Sequence, residues 1–154
     1  MRIIVLADTH VNTLEYLPNK IIDAISRVDL IIHAGDFTDI QVLEELKQLR
    51  EVKAVQGNMD SMELKTMLPV KEIFEIEGKR IGITHGSGSP WGIEERVKKM
   101  FESDQIDIIV YGHSHQSQNT ISDDILFFNP GNATDSFGIL TINREAIGEI
   151  INSR

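Results

Sequence analysis

The fold of this chain is decided by one stretch, Leu30-Ile31-Ile32-His33-Ala34-Gly35-Asp36-Phe37-Thr38-Asp39. Its first residues form a short apolar run, which is typical of a strand that is buried on both faces of a sheet. His33, inside the run, is expected to be a buried histidine bonded to the backbone or to a supporting side chain. Asp36 lies just beyond the carboxyl end of the predicted strand. Because ligands of open α/β sheets bind at that edge, we expect Asp36 to belong to a binding site.

Four other apolar runs are followed by similar polar residues. In chain order these are Ile3–Ala7 before Asp8-Thr9-His10, Val52–Val55 before Gly57-Asn58-Met59-Asp60, Ile81–Thr84 before His85-Gly86, and Ile106–Tyr111 before Gly112-His113-Ser114-His115. Carboxylates can bridge two cations, and neutral imidazoles and an amide oxygen can complete their coordination. Five strands that deliver such groups to one edge predict a polynuclear metal site. Asp36 is the expected bridging carboxylate, because it ends the most buried strand.

Taken singly, each fragment has a simpler interpretation. The fragment around His10 also fits an exposed loop, Asp39 fits the cap of a following helix, and Asn58 fits a plain turn. His113 and His115 project to the same side only if the chain between them is extended. The combination of all the fragments at strand ends favours a shared site over these separate interpretations.

Length and composition set bounds on fold and function. The chain has 154 residues, 41% of them hydrophobic, and a mean hydropathy of −0.13, which predicts one globular domain over residues 1–154. The net charge of −9 argues against a nucleic-acid polymer as partner but is compatible with a small phosphorylated substrate. There is no cysteine, no signal-like start and no apolar run long enough for a bilayer, so we expect a cytoplasmic location and no membrane partner. Pairing of the late hairpins into a homo-oligomer stays open.

The order of the predicted elements indicates two halves. Up to Val55 the pattern is βαβαβ, with a helical stripe over Leu14–Val28, which predicts a parallel sheet with helical crossovers. The segment Ser61–Val70 has no clear period and is interpreted as a connector. Ser89 and Pro90 suit the start of a later helix. The remaining strands and turns are expected to build a second, more antiparallel sheet.

Together the polar fragments resemble the signature of the calcineurin-like metallophosphoesterase superfamily. The residues that carry this resemblance are Asp8-x-His10, Gly35-Asp36-x-x-Asp39, Gly57-Asn58, His85 and Gly112-His113-x-His115. The small size, the form Gly57-Asn58-x-Asp60 and the late Asn129-Pro130-Gly131 are similar to its compact, YfcE-like phosphodiesterase branch. The resemblance implies an α/β fold, a four-layer α-β-β-α sandwich of two mixed sheets flanked by helices, with a two-metal site where the loops of the sheets converge.

The resemblance also implies a division of the ligands between two divalent ions. One ion would be held by Asp8, His10, Asp36 and His115, and the other by Asp36, Asn58, His85 and His113. Manganese is the expected metal, with nickel, cobalt, iron or zinc as alternatives. The implied function is a phosphodiesterase in which a hydroxide between the ions attacks a small phosphodiester in line, with His10, Asp36 and Asn58 at the reaction centre.

One position departs from the family pattern. Many members carry a histidine after the asparagine of Gly57-Asn58, where it contacts the phosphate and protonates the leaving oxygen, but this chain has Met59. Methionine cannot donate a proton, so phosphodiesters with good leaving groups are the expected substrates. Asp39 and Asp60 are expected to support the ligands from behind. The alternative is a non-catalytic scaffold, similar to the retromer-type relatives, and the complete set of ligand types favours the enzyme over it.

Overall fold

Two five-stranded mixed sheets form the centre of the fold in a computed structural model that describes residues 1–154. The strands and helices, in chain order, are β1 (Arg2–Leu6), α1 (Asn19–Ile25), β2 (Leu30–His33), α2 (Ile40–Leu49), β3 (Glu51–Ala54), α3 (Met62–Met67), β4 (Lys71–Ile76), β5 (Lys79–Thr84), α4 (Ile93–Met100), β6 (Ile108–Val110), β7 (Gln118–Ser122), β8 (Ile125–Asn129), β9 (Ser136–Asn143) and β10 (Glu145–Asn152). A 3₁₀ turn over Leu14–Tyr16 precedes α1. None of the helices is long and apolar enough to cross a bilayer.

The first sheet has the strand order β10-β9-β1-β2-β3. β1, β2 and β3 are parallel, and α1 and α2 connect them as crossover helices. The final hairpin, β9 with β10, adds to the other side of β1 in antiparallel orientation, so that Val5 pairs with both Ile32 and Gly138. β1 is therefore an inner strand although it comes first in the chain.

The second sheet has the strand order β4-β5-β6-β8-β7. Its inner strands β5, β6 and β8 are parallel, and β4 and β7 close the two edges in antiparallel orientation. Each sheet thus has two parallel and two antiparallel pairs of strands. The prediction of a more antiparallel second sheet is wrong, because the last hairpin extends the first sheet instead.

Alternation along β1 shows how the layers are packed. Val5 joins a buried cluster with Ile83 between the two sheets, whereas Ile4 packs with Ile21 of α1 and Leu43 of α2 on the outer face. The outer face of the second sheet is covered by α4 in a third cluster. Each fully buried aliphatic side chain of this kind contributes about 2 kcal/mol. The layers helix, sheet, sheet and helix confirm the predicted α-β-β-α sandwich.

Helix boundaries differ from the sequence-based predictions at three places. The first helical stripe is divided into the 3₁₀ turn and α1, because Pro18 between them has an extended backbone (ψ 135°) and stands at the N-cap of α1. The segment interpreted as a connector contains α3, whose first turn is capped by the side chain of Ser61. α4 begins after Gly92, which is left-handed (φ 76°), and not with Ser89 and Pro90.

Candidate metal centre

The carboxyl ends of five strands meet where the two sheets face each other. Asp8 follows β1, Asp36 follows β2 and Asn58 follows β3, whereas His85 and His113 follow β5 and β6 of the second sheet. The Nε2 atom of His85 lies 3.1 Å from Oδ1 of Asn58, 3.3 Å from Oδ2 of Asp36 and 3.8 Å from Oδ1 of Asp8. The side chains predicted from the sequence are therefore brought together, and the centre depends on both sheets.

The backbone at this centre adopts a conformation that is uncommon for residues other than glycine. Positive φ angles occur at Asp8 (52°), His10 (49°), Asp36 (61°), His113 (67°) and His115 (58°). Each such residue costs about 1 kcal/mol, and such residues cluster at functional sites. The chain at His113 and His115 is not extended, so the strand alternation that would point both rings to the same side is absent.

Asp8 is the most deeply buried carboxylate of the centre. Its Oδ1 atom has no hydrogen-bond partner, although the Nε2 atoms of His115, His85 and His10 lie 3.5, 3.8 and 3.9 Å away. Burial raises the pKa of Asp8 to about 6. A buried carboxylate oxygen without a partner is costly, and a cation between these nitrogen atoms would satisfy it.

Asp36 lies between His10 and His85. Its Oδ2 atom is 3.3 Å from Nε2 of His85 and 3.6 Å from Nε2 of His10, and its Oδ1 atom accepts a hydrogen bond of 2.8 Å from the backbone amide of Met59. Burial alone would raise the pKa of Asp36, but the contact with His85 outweighs burial and the pKa lies below its ordinary value. A charged carboxylate between two imidazoles can ligate a cation together with either ring.

Three acceptor atoms converge on one point of the centre. Nδ1 of His85 lies 2.7 Å from the carbonyl oxygen of Ala34, so it carries the proton and leaves Nε2 as the acceptor of the neutral ring. Nε2 of His113 donates in the same way to the carbonyl oxygen of Gly88 and leaves Nδ1 free. These two free nitrogen atoms lie 3.1 and 3.2 Å from Oδ1 of Asn58. Facing acceptors repel one another unless positive charge, from a proton or from a divalent ion, lies between them.

Two groups of ligand atoms are close enough to hold ions. The ligand atoms of Asp8, His10 and His115 lie within 4.8 Å of one another, as do those of Asp8, Asp36 and His85. Burial lowers the pKa of His85, but its contacts with Asp36 and Asp8 outweigh burial and raise the pKa. Positive charge is thus favoured at Nε2 whether it comes from a proton or from an ion. Carboxylate, imidazole and amide donors suit divalent manganese, iron, cobalt, nickel and zinc.

Asp60 holds the backbone around Asp36. Its carboxylate accepts hydrogen bonds from the amides of Gly57 (2.7 Å), Thr38 (2.8 Å) and Asp36 (3.1 Å). A side chain at Gly57 would clash with Asp36, because its Cβ would lie 2.1 Å from the Oδ1 atom. The glycine and Asp60 together therefore allow the loop after β3 to approach the loop after β2 closely.

Asp39 lies at the N-cap of α2. Its side chain accepts a hydrogen bond of 2.9 Å from the amide of Gln41 and has none to a candidate ligand. This is the helix-capping interpretation that the sequence also allowed. The structure provides no contact through which Asp39 would support the ligands.

Arg96 of α4 fixes the loop between β5 and α4. Its guanidinium donates hydrogen bonds to three carbonyl oxygens of that loop, those of Ser87, Ser89 and Trp91. Gly88, whose carbonyl holds His113, lies between the first two of these anchor points. Sequence reasoning missed this role, since a helical arginine that contacts only backbone atoms leaves no motif.

His33 is fully buried next to the centre. Its Nδ1 atom accepts a hydrogen bond of 3.1 Å from the amide of Gly35, and its Nε2 atom lies 3.2 Å from Oγ1 of Thr9. Burial lowers the pKa of His33 to about 3, so the ring is neutral. The predicted buried and bonded histidine is thus found, and it connects the loops after β1 and β2.

Asn129 gives similar support on the second sheet. It is fully buried, and its Nδ2 atom donates to the carbonyl oxygen of Gly112 (3.1 Å) and to Oγ of Ser114 (3.0 Å). These two residues flank His113 in the chain. The turn that begins at Asn129 therefore supports the histidine loop through a side chain that lies behind it.

A family model described as the calcineurin-like phosphoesterase superfamily domain matches residues 1–144. The chain belongs to this superfamily. A Methanocaldococcus jannaschii protein named a probable metallophosphoesterase is 40% identical over 136 residues, which cover 87% of this chain and 69% of that protein. Another protein of the same organism, named a phosphodiesterase, is 28% identical over 98% of this chain and 99% of its own length. Vps29 from Entamoeba histolytica, crystallised with zinc, covers 100% of both chains at 24% identity with a TM-score of 0.79.

Membership of the superfamily confirms the resemblance that the motifs indicated. Metallophosphoesterases use divalent metals, and the Asp and His groups described above could bind them. The likeness to Vps29 adds to the evidence for the four-layer fold. The chain is therefore a phosphoesterase-family protein with a potential metal centre at the expected edge.

Proposed function

We propose that this protein is a divalent-metal-dependent phosphodiesterase that acts on small phosphodiesters. The observation that carries the proposal is the convergence of free nitrogen atoms of His85 and His113 on Oδ1 of Asn58, close to the unpartnered Oδ1 of Asp8. The side chain of His115 is 48% exposed, so the centre is open to a ligand from solvent. The similar protein that is named a phosphodiesterase supports this activity.

We propose that the ligands divide between two ions that share the carboxylate of Asp36. We assign Asp8, His10 and His115 to one ion, Asn58, His85 and His113 to the other, and Asp36 to both. Divalent ions held there supply electrostatic activation of the phosphate and of the attacking water. The low pKa of Asp36 keeps its carboxylate charged at neutral pH, and the carbonyl oxygens of Ala34 and Gly88 hold His85 and His113 in the tautomers that present a lone pair.

The supply of a proton to the leaving oxygen restricts the substrates. Met59 is 59% exposed after Asn58 and cannot donate a proton. We assign His10, whose side chain is 31% exposed beside Asp36, to contact with the phosphate or to proton transfer. Without a general acid at the position of Met59, the rate lacks the ~10²–10⁴-fold contribution that protonation of the leaving group provides. Diesters whose leaving group departs as a stable anion are therefore the favoured substrates.

The test is hydrolysis of bis(4-nitrophenyl) phosphate after reconstitution with manganese, nickel, cobalt, zinc or magnesium. Wild type should turn over with at least one metal, most rapidly with manganese. His85→Ala removes a ligand but no proton donor to the leaving group, so it should lose both bound metal and turnover. Turnover without added metal in the chelator-treated protein, or unchanged turnover in His85→Ala, would contradict the proposal.

A second candidate function is that of a non-catalytic scaffold. Met59 in place of a general acid and the likeness in fold to Vps29 favour this alternative. The complete set of candidate ligands weighs against it, because a scaffold has no need for seven of them. Stoichiometric metal binding with no hydrolysis under any condition would favour the scaffold.

A further inference from the structure

A cavity of about 250 Å³ opens beside the candidate metal centre. Asn58 and His85 form one side of it, so it is continuous with the centre. Val70 and Met100 supply the apolar part of the lining, and both side chains are more than one third exposed. A group attached to a phosphate at the centre can therefore extend into this cavity.

Lys65 supplies the positive charge of the cavity. It is the one Lys or Arg among the lining residues, none of which is Asp or Glu, although the chain as a whole has a net charge of −9. Its Nζ atom donates a hydrogen bond of 3.0 Å to the backbone oxygen of Asn58 and forms no salt bridge. The neighbouring Lys71, by contrast, is neutralised by Asp104 at 2.7 Å. The ammonium group of Lys65 is thus free to bind an anion.

The walls of the cavity are held by hydrogen bonds within the protein. The amide of Gln56 donates to the carbonyl oxygens of Lys65 (3.0 Å) and Leu68 (2.7 Å), and the hydroxyl of Thr84 donates to that of Val70 (3.2 Å). These bonds tie α3 and the residues after it to the loop after β3 and to β5. The cavity is therefore formed before a ligand binds, which lowers the entropic cost of binding.

We propose that this cavity binds the non-reacting substituent of the phosphodiester and that Lys65 selects substituents with a negative charge. The proposal rests on the phosphodiesterase function proposed above. The carbonyl oxygen that Lys65 contacts belongs to Asn58, and the side chain of the same residue contacts His85 of the centre. Val70 and Met100 cover the apolar body of the substituent, and its anionic end pairs with Lys65.

Two substrates that differ only in charge test this selection. 4-Nitrophenyl 4-carboxyphenyl phosphate and 4-nitrophenyl 4-carbamoylphenyl phosphate have the same leaving group and nearly the same shape. We expect kcat/KM of the metal-loaded wild type to favour the carboxylate ester roughly two- to fivefold, the size of one partly screened ion pair. The preference should lie mainly in KM and decrease as salt is added.

Variants of Lys65 show whether its charge causes the preference. Lys65→Gln should abolish the preference by raising KM for the carboxylate ester alone, and Lys65→Arg should retain it. Lys47→Gln is the matched control, because Lys47 is an exposed lysine of α2 that does not line the cavity. It changes the net charge equally and should leave the preference intact.

Several results would overturn the proposal. Equal kcat/KM for the two esters in wild type would remove the selection, and an equal loss for both esters in Lys65→Gln would show that Lys65 acts on the shared phosphate. Hydrolysis of neither ester would instead count against the phosphodiesterase function. In that case the affinities of the two esters for the metal-loaded protein, measured by calorimetry, still test the role of the cavity. Equal affinities would exclude selection by Lys65.

Discussion

His113 and Gly88 are joined by a hydrogen bond of 2.8 Å between the imidazole Nε2 atom and the carbonyl oxygen. Because a carbonyl can only accept, this bond places the proton on Nε2 and leaves Nδ1 free to face Asn58. The loop after β5 thus fixes the tautomer of a candidate ligand that lies in the loop after β6.

Replacement of Arg96 by methionine should release this control. The variant keeps an unbranched apolar stem but loses the bonds to three loop carbonyls, so the carbonyl of Gly88 is no longer held in place. Nitrogen NMR of the metal-free protein should then show an increased share of the Nδ1–H form of His113. Metal affinity should fall ~10–100-fold, as expected when the support of a ligand is removed. Arg27→Met, at an exposed arginine, is the control, and an unchanged tautomer in Arg96→Met would contradict the assignment.

Asp36→Ala should abolish occupancy by two metal ions. Its Oδ2 atom faces a histidine of each assigned ion, so neither site keeps its full set of ligands. Metal content measured by mass spectrometry should fall well below two ions per chain. Asp39→Ala is the matched control, since this cap should cost about 1 kcal/mol of stability and leave the metal content unchanged. Near-normal metal content in Asp36→Ala would refute the bridging role.

Met59→His should increase hydrolysis of diesters with poor leaving groups. An imidazole at this exposed position can donate a proton, which we expect to be worth roughly tenfold or more on such substrates and little on nitrophenyl esters. Rates on alkyl and nitrophenyl esters of the same phosphate measure this difference. Met62→His places the same ring at a position of α3 that is 77% exposed and should have no effect. If the two variants behave alike, position 59 does not reach the leaving oxygen.

His33 should make the stability of the protein dependent on pH. Burial lowers its pKa to about 3 in the folded protein, from 6.5 as the ordinary value. Between these values the unfolded chain binds the proton and the folded protein does not, so the stabilising contribution is complete above pH 6.5 and is lost as the pH falls. Urea unfolding of the metal-free protein measures the free energy of unfolding of wild type and of His33→Gln. From pH 7 to pH 5, the difference between these two free energies should shift by about 2 kcal/mol in favour of the variant. If the free energy of unfolding depends on pH in the same way in both proteins, His33 can be protonated in the folded state and the prediction is wrong.

The positions of the candidate ligands were predictable from the sequence for a physical reason. Asp8, Asp36 and Asn58 each follow a short apolar run, and the carboxyl ends of parallel strands share one edge. Side-chain chemistry and the position of each apolar run are both local properties of the chain. The approximate place of the centre therefore follows from residue types and spacing alone.

Long-range pairing and loop geometry were not predictable in the same way. The pairing of Val5 with Gly138 depends on which sheet the last hairpin joins, and its alternating pattern is compatible with either. The left-handed angles of His113 and His115 occur in a loop that Asn129, distant in sequence, supports through the carbonyl oxygen of Gly112, and no local pattern predicts them. The helix capped by Ser61 was missed because it is too short to show a helical period in its sequence.

The pairing of β1 with β9 has a consequence for the newly made chain. Because Val5 and Gly138 are neighbours in the sheet, β1 stays an edge strand on that side until β9 has been synthesised. Unpaired strand edges attract other strands, so this interval is when the nascent chain is most exposed to wrong association. The loop that carries Asp8 acquires its final support only when most of the protein has left the ribosome. The complete set of candidate ligands, which includes His113 and His115 of the second sheet, is therefore present only late in synthesis.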